Sequence, residues 1–281
     1  MVRDRIPHIQ ILITAVVCLL FAALPACADG VLSFDVLYDT ELPGCAVHVG
    51  SESLIHPAGD RLYPTRAFRI PPEVQKGAVA GFICVTGESA RLGVDSVAVF
   101  SVPVRRAAGY QRRMLETLYH EIFAFDPAGE TEVVVGRILS DVVNPTGKFK
   151  YSTAAATMIV VYRKNAAPRK RIRIFSGLST PVPGEVYVFP FPRASPGHVP
   201  VSLRVGGGHG IKGNATGNLL NGSTLSGGDD WDGSTGPLWD MDRYDLKAWN
   251  FDGIMDYKLA IDTILNWIYP ELVIFEEEVK M

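Results

Sequence analysis

Apolar residues recur along this chain in short runs that alternate with polar ones and stop at Gly, Pro, Asn or Asp. The clearest are VLSFDVLY (31–38), AVAGFICVT (78–86), VDSVAVFSVPV (94–104), TEVVVGRIL (131–139), ATMIVVYR (156–163), RIRIFSG (171–177), EVYVFPF (185–191), VPVSLRV (199–205), DYKLAID (256–262) and WIYPELVIF (267–275). A period of two puts one side of each run against a core, as a β-strand does. Many such runs separated by turn residues predict an all-β fold, either a two-sheet β-sandwich or a jelly roll. WDMDRYD (239–245) alternates too and reads as a strand entering the sandwich. One segment breaks the pattern: GYQRRMLETLYHEIF (109–123) sets Met114, Leu115, Leu118 and Ile122 at helical spacing, which predicts one short helix.

The basic stretch RKNAAPRKRIR (163–173) is read through the same alternation. Arg171 and Arg173 interleave with Ile172 and Ile174, which predicts a half-buried strand showing its arginines to solvent, with Asn165 to Pro168 as a hairpin turn. That reading is preferred over a nucleic-acid or lipopolysaccharide patch. No internal repeat is visible. A Gly/Pro turn at Asn144-Pro145-Thr146-Gly147 marks a soft boundary, so residues 29–281 form one β-sandwich domain or two packed halves, 29–146 and 147–281.

The amino terminus changes the compartment. Arg3 and Arg5 precede an apolar run from Ile9 to Leu24, and Ala26-Cys27-Ala28 supplies an A-x-A-type cleavage site, so residues 1–28 read as a secretory signal peptide. The run is shorter than the roughly 20 apolar residues that a membrane-spanning helix needs, and no transmembrane segment is expected in the mature form. Leu24-Pro25-Ala26-Cys27 also loosely matches a bacterial lipobox, making lipid anchoring at Cys27 a minor alternative. The expected location is the periplasm, the cell surface or the extracellular space. Cleavage leaves Cys45 and Cys84, which in an oxidising compartment are expected to pair as a disulfide. A net charge of −3 argues against nucleic acid as a partner.

Candidate chemistry concentrates in GGDDWDGSTGPLWDMDRYD (227–245), with six aspartates and two tryptophans. Asp230, Asp232, Asp240, Asp242 and Asp245 are candidate calcium ligands, because calcium takes six to eight oxygens from a loop able to curl around it. The EF-hand pattern does not fit, and aspartate is also a favoured turn residue. Two of these carboxylates could instead serve a polysaccharide hydrolase, with Trp231 and Trp239 as sugar platforms, or the tryptophans alone could bind carbohydrate. The G-x-G-x-x-G match at 208–213 lacks the helix that a dinucleotide site requires. Tyr119-His120-Glu121-Ile122 lacks the second histidine of a zinc-protease motif. His198 and His209 flank one strand but have no carboxylate at ligand spacing, and Asn214 and Asn221 sit in glycosylation acceptor patterns.

The order of segments 156–178, 206–222, 229–246 and 256–277 resembles a domain of unknown function in archaeal and bacterial surface proteins. That domain runs from a valine-rich strand ending in tyrosine through a proline hairpin and an Asp-Gly-Phe turn. A glycine-and-asparagine loop, a D-x-D-x-x-D segment and a last strand complete it. The similarity covers roughly residues 155–276, and Phe175-Ser176-Gly177-Leu178 departs from the usual turn. The resemblance implies an exported β-sandwich of structural or adhesive role and carries no active site. The expected function is thus an exported cell-envelope or surface module, calcium-stabilised, meeting a cell-envelope polymer, a glycan or a surface protein. The alternatives are the hydrolase and the carbohydrate-binding module.

Overall fold

The computed structural model describes residues 30–31, 34–53, 65–89, 98–113, 117–137, 155–165, 168–178, 186–190, 197–208, 217–226, 230–231, 239–249, 256–260 and 269–280. They are nearly all strand, and two five-stranded antiparallel sheets form the centre. Sheet I takes the order β3 (Cys45–Ser53), β10 (Ala155–Arg163), β5 (Ala78–Ser89), β8 (Thr117–Phe125) and β7 (Arg105–Arg113). Sheet II takes the order β16 (Trp239–Asp245), β13 (His198–Gly208), β18 (Tyr269–Val279), β11 (Arg169–Ser176) and β2 (Asp35–Pro43).

Two further sheets cover the outer faces. Sheet III joins β4 (Thr65–Arg69), β9 (Glu132–Arg137) and β6 (Ala98–Phe100), while α1 (Pro72–Gly77) adds Val74 to the same core. Sheet IV joins β1 (Gly30–Val31), β12 (Val186–Pro190), β17 (Asp256–Ala260), β14 (Asn218–Leu220) and β15 (Ser223–Thr224); its β1–β12 pair is parallel. Asn221 and Gly222, at φ 50° and 77°, turn β14 into β15 as an Asn-Gly hairpin does.

This stacking explains why the central strands read as apolar on both phases. On β10, Ala156, Met158 and Val160 face sheet III while Ile159 and Val161 face sheet II. On β18, Leu272 and Ile274 face sheet I while Val273 and Phe275 face sheet IV. A sheet covered on both faces needs no polar phase, and its strands become continuous apolar runs.

Three sequence expectations are corrected. The described residues of 109–123 are strand, not helix: β7 and β8 are an antiparallel pair in which Arg113 stands opposite Thr117, and Met114 and Leu115 lie outside the described residues. Tyr119 and Phe123 point to the sheet III side and Ile122 to the sheet II side, so both phases of β8 are buried and the apolar spacing mimics a helix. The basic stretch 163–173 is not a hairpin within one sheet, because β10 lies in sheet I and β11 in sheet II. Lys164 and Pro168 lie beside Gly44, which links β2 to β3 across the same two sheets: Gly44 N donates to Pro168 O at 3.1 Å and Lys164 N to Gly44 O at 2.6 Å. Gly44 sits at φ 66°, and a Cβ there would lie 2.1 Å from Lys164 O, so only glycine allows the approach. Arg173, expected at the surface, is 3% exposed, lying against Phe175, Phe275 and the buried Glu277.

The expected Cys45–Cys84 disulfide is also absent, and both thiols are free and buried. Across β10, Cys45 stands opposite Arg163 and Cys84 opposite Thr157. Six residues of strand separate those positions by roughly 20 Å, far beyond the about 7 Å between Cα atoms that a bridge tolerates. Burial pushes the Cys45 thiol up to about 11, and burial raises Cys84 further. Both act as small core hydrophobes. Thermal melting with and without a reductant is therefore expected to coincide; a Tm that falls on reduction would overturn this.

Candidate functional site

Ser53, Ser89, Ser176 and Gly208 end strands, and Thr117, Ala155, Trp239 and Tyr269 begin them, on one side of the central sheets. The register sets Ser53 against Ala155, Ser89 against Thr117 and Gly208 against both Trp239 and Tyr269. Polar side chains gather at this end.

Asp230 and Trp231 are both buried, in the core between sheets II and IV. Asp230 Oδ2 accepts from Asn218 N at 2.5 Å, and Trp231 Nε1 donates to Asn218 Oδ1 at 3.1 Å. Asn218 Nδ2 in turn donates to Tyr244 OH at 2.8 Å, and Tyr244 OH reaches Asp242 Oδ2 at 3.4 Å. Asn218 is thus the hub that locks residues 230–231 onto β14 and β16. Asp240 is buried and accepts from Met241 N at 2.9 Å; Asp245 accepts from Lys247 N at 3.0 Å in an Asx turn. Trp239 inserts between sheets I and II, where Nε1 donates to Ser51 Oγ at 2.5 Å and Ser51 Oγ bonds Thr157 Oγ1 at 2.7 Å.

Of the five aspartates, Asp230 and Asp242 therefore share one network through Asn218 and Tyr244. Asp240 and Asp245 serve local backbone, and Asp232 lies outside the described residues. Among the described residues no group of three or more His, Cys, Asp or Glu side chains is placed to hold a metal ion. Trp231 and Trp239 are each 1% exposed, so neither presents a ring face to a sugar: in place of platforms they are core residues with their N–H groups satisfied. His198 Nε2 lies 3.3 Å from Glu41, whose carboxyl is held below its usual range chiefly by its hydrogen bond to Arg169. His209 lies outside the described residues, as does most of the 208–213 glycine motif.

A second cluster had no signal in the sequence, because its four residues come from four strands. Thr86 on β5 and His120 on β8 stand directly opposite each other in sheet I. Ser176 closes β11 and Glu271 is the third residue of β18 in sheet II. The register of β18 against β13 slips between Gly206 and Gly207, leaving Glu271 as an extra residue. Without that slip Glu271 would share the face of Val273, toward sheet IV; the bulge turns its carboxylate inward instead. Thr86 Oγ1 donates to Glu271 Oε2. His120 Nδ1 lies 2.8 Å from Thr86 Oγ1 and 3.1 Å from Glu271 Oε2. His120 Nε2 lies 2.8 Å from Ser176 Oγ, which donates to Glu271 O at 3.0 Å. Tyr110 stacks on the imidazole at 6.1 Å and donates to Asp35 at 3.1 Å.

The Thr86 and Ser176 hydroxyls each reach an oxygen of Glu271, and each also lies 2.8 Å from one imidazole nitrogen of His120. Ser176, His120 and Glu271 do stand in nucleophile–base–acid order. However, the serine proton points to a carbonyl, and His120 and Ser176 are fully buried. This arrangement cannot act on an external substrate. The far end of the same interface is polar too, with Glu276 3.5 Å from Lys170 and 3.3 Å from Arg204.

Between edge strands β2 and β7 the central sheets leave a groove of about 740 Å³, on which Val36 and Val79 stay open. No helix among the described residues is long and apolar enough to cross a membrane. No protein-family model, no curated protein and no solved structure matches the chain.

Proposed function

We propose that the chain is an exported module of the cell envelope or surface, with a structural, adhesive or binding role toward an envelope polymer, a glycan or a surface protein. The observation that carries this reading is how the loop-end side chains are used. Asp230 and Asp240 bind backbone N–H groups, and Trp231 and Trp239 are core residues. Groups that a hydrolase would keep in a cleft are committed to holding the end of the sandwich in shape. The signal-like start and the resemblance to surface-protein domains supply the compartment.

Cell fractionation tests export: the protein is expected in the exported fraction with its first residue near Asp29. A glycan array paired with a reducing-sugar assay tests the role, and binding without sugar release is the expected result. Release that disappears in Asp→Asn variants at Asp230, Asp232, Asp240 or Asp242 would replace this reading with the polysaccharide hydrolase. Calcium held by these residues and Asp245 belongs to the same proposal. A ligand at a hundred times its dissociation constant stabilises the native state by about 2.7 kcal/mol. Melting that is identical in calcium and in chelator therefore removes calcium from the reading.

A further inference from the structure

We propose that Thr86 and Glu271 condense to an intramolecular ester that ties sheet I covalently to sheet II. The inference is independent of the functional reading above and rests on the geometry of one buried site.

Thr86 Oγ1 is hydrogen-bonded to the carboxylate it would attack, and one imidazole nitrogen touches both partners. His120 Nδ1 is 2.8 Å from Thr86 Oγ1 and 3.1 Å from Glu271 Oε2. Its other nitrogen is held by Ser176, 2.8 Å away, so the ring cannot turn out of line. A general base within hydrogen-bond reach of the proton it removes is the geometric requirement for this role. The bulge that leaves Glu271 as the extra residue of β18 is what delivers the carboxyl here.

The step balances without any added reagent. In the reacting form Glu271 is the carboxylic acid and His120 the neutral imidazole with Nδ1 unprotonated. Thr86 Oγ then attacks Glu271 Cδ, and its hydroxyl proton goes to Nδ1. The tetrahedral adduct expels the carboxyl hydroxyl, which takes that proton and leaves as water. One C–OH bond breaks, one C–O ester bond forms, and nothing is oxidised or reduced. In water such a condensation runs backwards. Here folding has already brought the groups together, an advantage that reaches effective molarities of roughly 10⁵–10⁸ M in well-oriented intramolecular reactions. Thr86 and Glu271 are 8% and 1% exposed, so solvent has poor access for hydrolysis.

Mass spectrometry of the purified, denatured full chain tests this. The intact protein is expected to be lighter by one water than its sequence requires. Proteolysis should yield a branched peptide joining the segments that contain Thr86 and Glu271, which hydroxylamine separates. Thr86→Val should restore the full mass; if that variant does not fold, the mass and branched peptide of the unaltered chain decide alone. A full mass for the unaltered chain, or a lost water located at any other pair, overturns the proposal.

Discussion

An Arg173→Ala chain is expected to lose about 3–5 kcal/mol of unfolding free energy, the usual cost of removing one partner from a buried ion pair. The Arg173 and Glu277 side chains are 3% and 0% exposed, with Arg173 Nη2 2.7 Å from Glu277 Oε2. Burial raises the Glu277 carboxyl above its ordinary range and lowers the Arg173 guanidinium below its own; in both, lost hydration outweighs the partner's charge. A carboxyl whose folded value lies above its unfolded one contributes fully below the unfolded value, and that contribution is lost as pH rises through the folded one. At neutral pH the ionised Glu277 is therefore a cost, which Arg173 offsets. The substitution would strand that carboxylate and also lift a cation off Phe275 and Phe175, whose ring centres lie 5.1 and 5.9 Å away. The joint Arg173→Met, Glu277→Leu chain is expected to be neutral or about 1–4 kcal/mol more stable. Urea titration measures both. A single-variant loss no larger than the roughly 1 kcal/mol of a surface pair would sink the argument.

Trp231→Ala is expected to cost a similar amount, about 3–5 kcal/mol, because a large buried side chain would leave a cavity behind. Trp231 is 1% exposed among Phe175, Phe189, Leu203, Leu220 and Phe275, so its space is bounded by two sheets that cannot close independently. Its indole also donates to Asn218, the residue that orders Asp230, Tyr244 and Asp242. Trp231→Phe separates the two contributions, since it keeps most of the apolar volume and drops the donor for about 1 kcal/mol. Denaturant midpoints for the two variants that coincide would show that packing around residue 231 contributes little.

The strands were legible where alternation or a continuous apolar run met a clear turn. AVAGFICVT became the start of β5, ATMIVVYR most of β10, the YPELVIF of WIYPELVIF the first part of β18 and WDMDRYD the whole of β16. CAVHVGSES was missed as β3: Cys45, Val47 and Val49 do alternate onto the core, but the run is short and its second half, GSES, is small and polar. β8 imitated a helix because both of its phases are buried. Arg173 was misplaced because period two shows that a side chain shares a face with its neighbours, not whether another layer covers that face. The loop aspartates and tryptophans were visible as a cluster, but it takes the fold to bring Asn218, twelve or more residues away, to two of the aspartates and Trp231. Thr86, His120, Ser176 and Glu271 leave no mark on spacing, since a site assembled from four strands has no local period, and the bulge that brings in Glu271 is invisible in composition.

The order of strands in sheet II also constrains when the protein can fold. β18, the last strand described, lies between β13 and β11, and β10 of sheet I lies between two strands from much earlier in the chain. Neither central sheet can close until late residues arrive, so the decisive contacts are long-range and the search for them is slow. A nascent chain stalled before residue 269 would carry β13 and β11 with open edges suited to pairing with a neighbour's strands. For the export proposed above, such late commitment would let the chain pass a translocation channel before it folds.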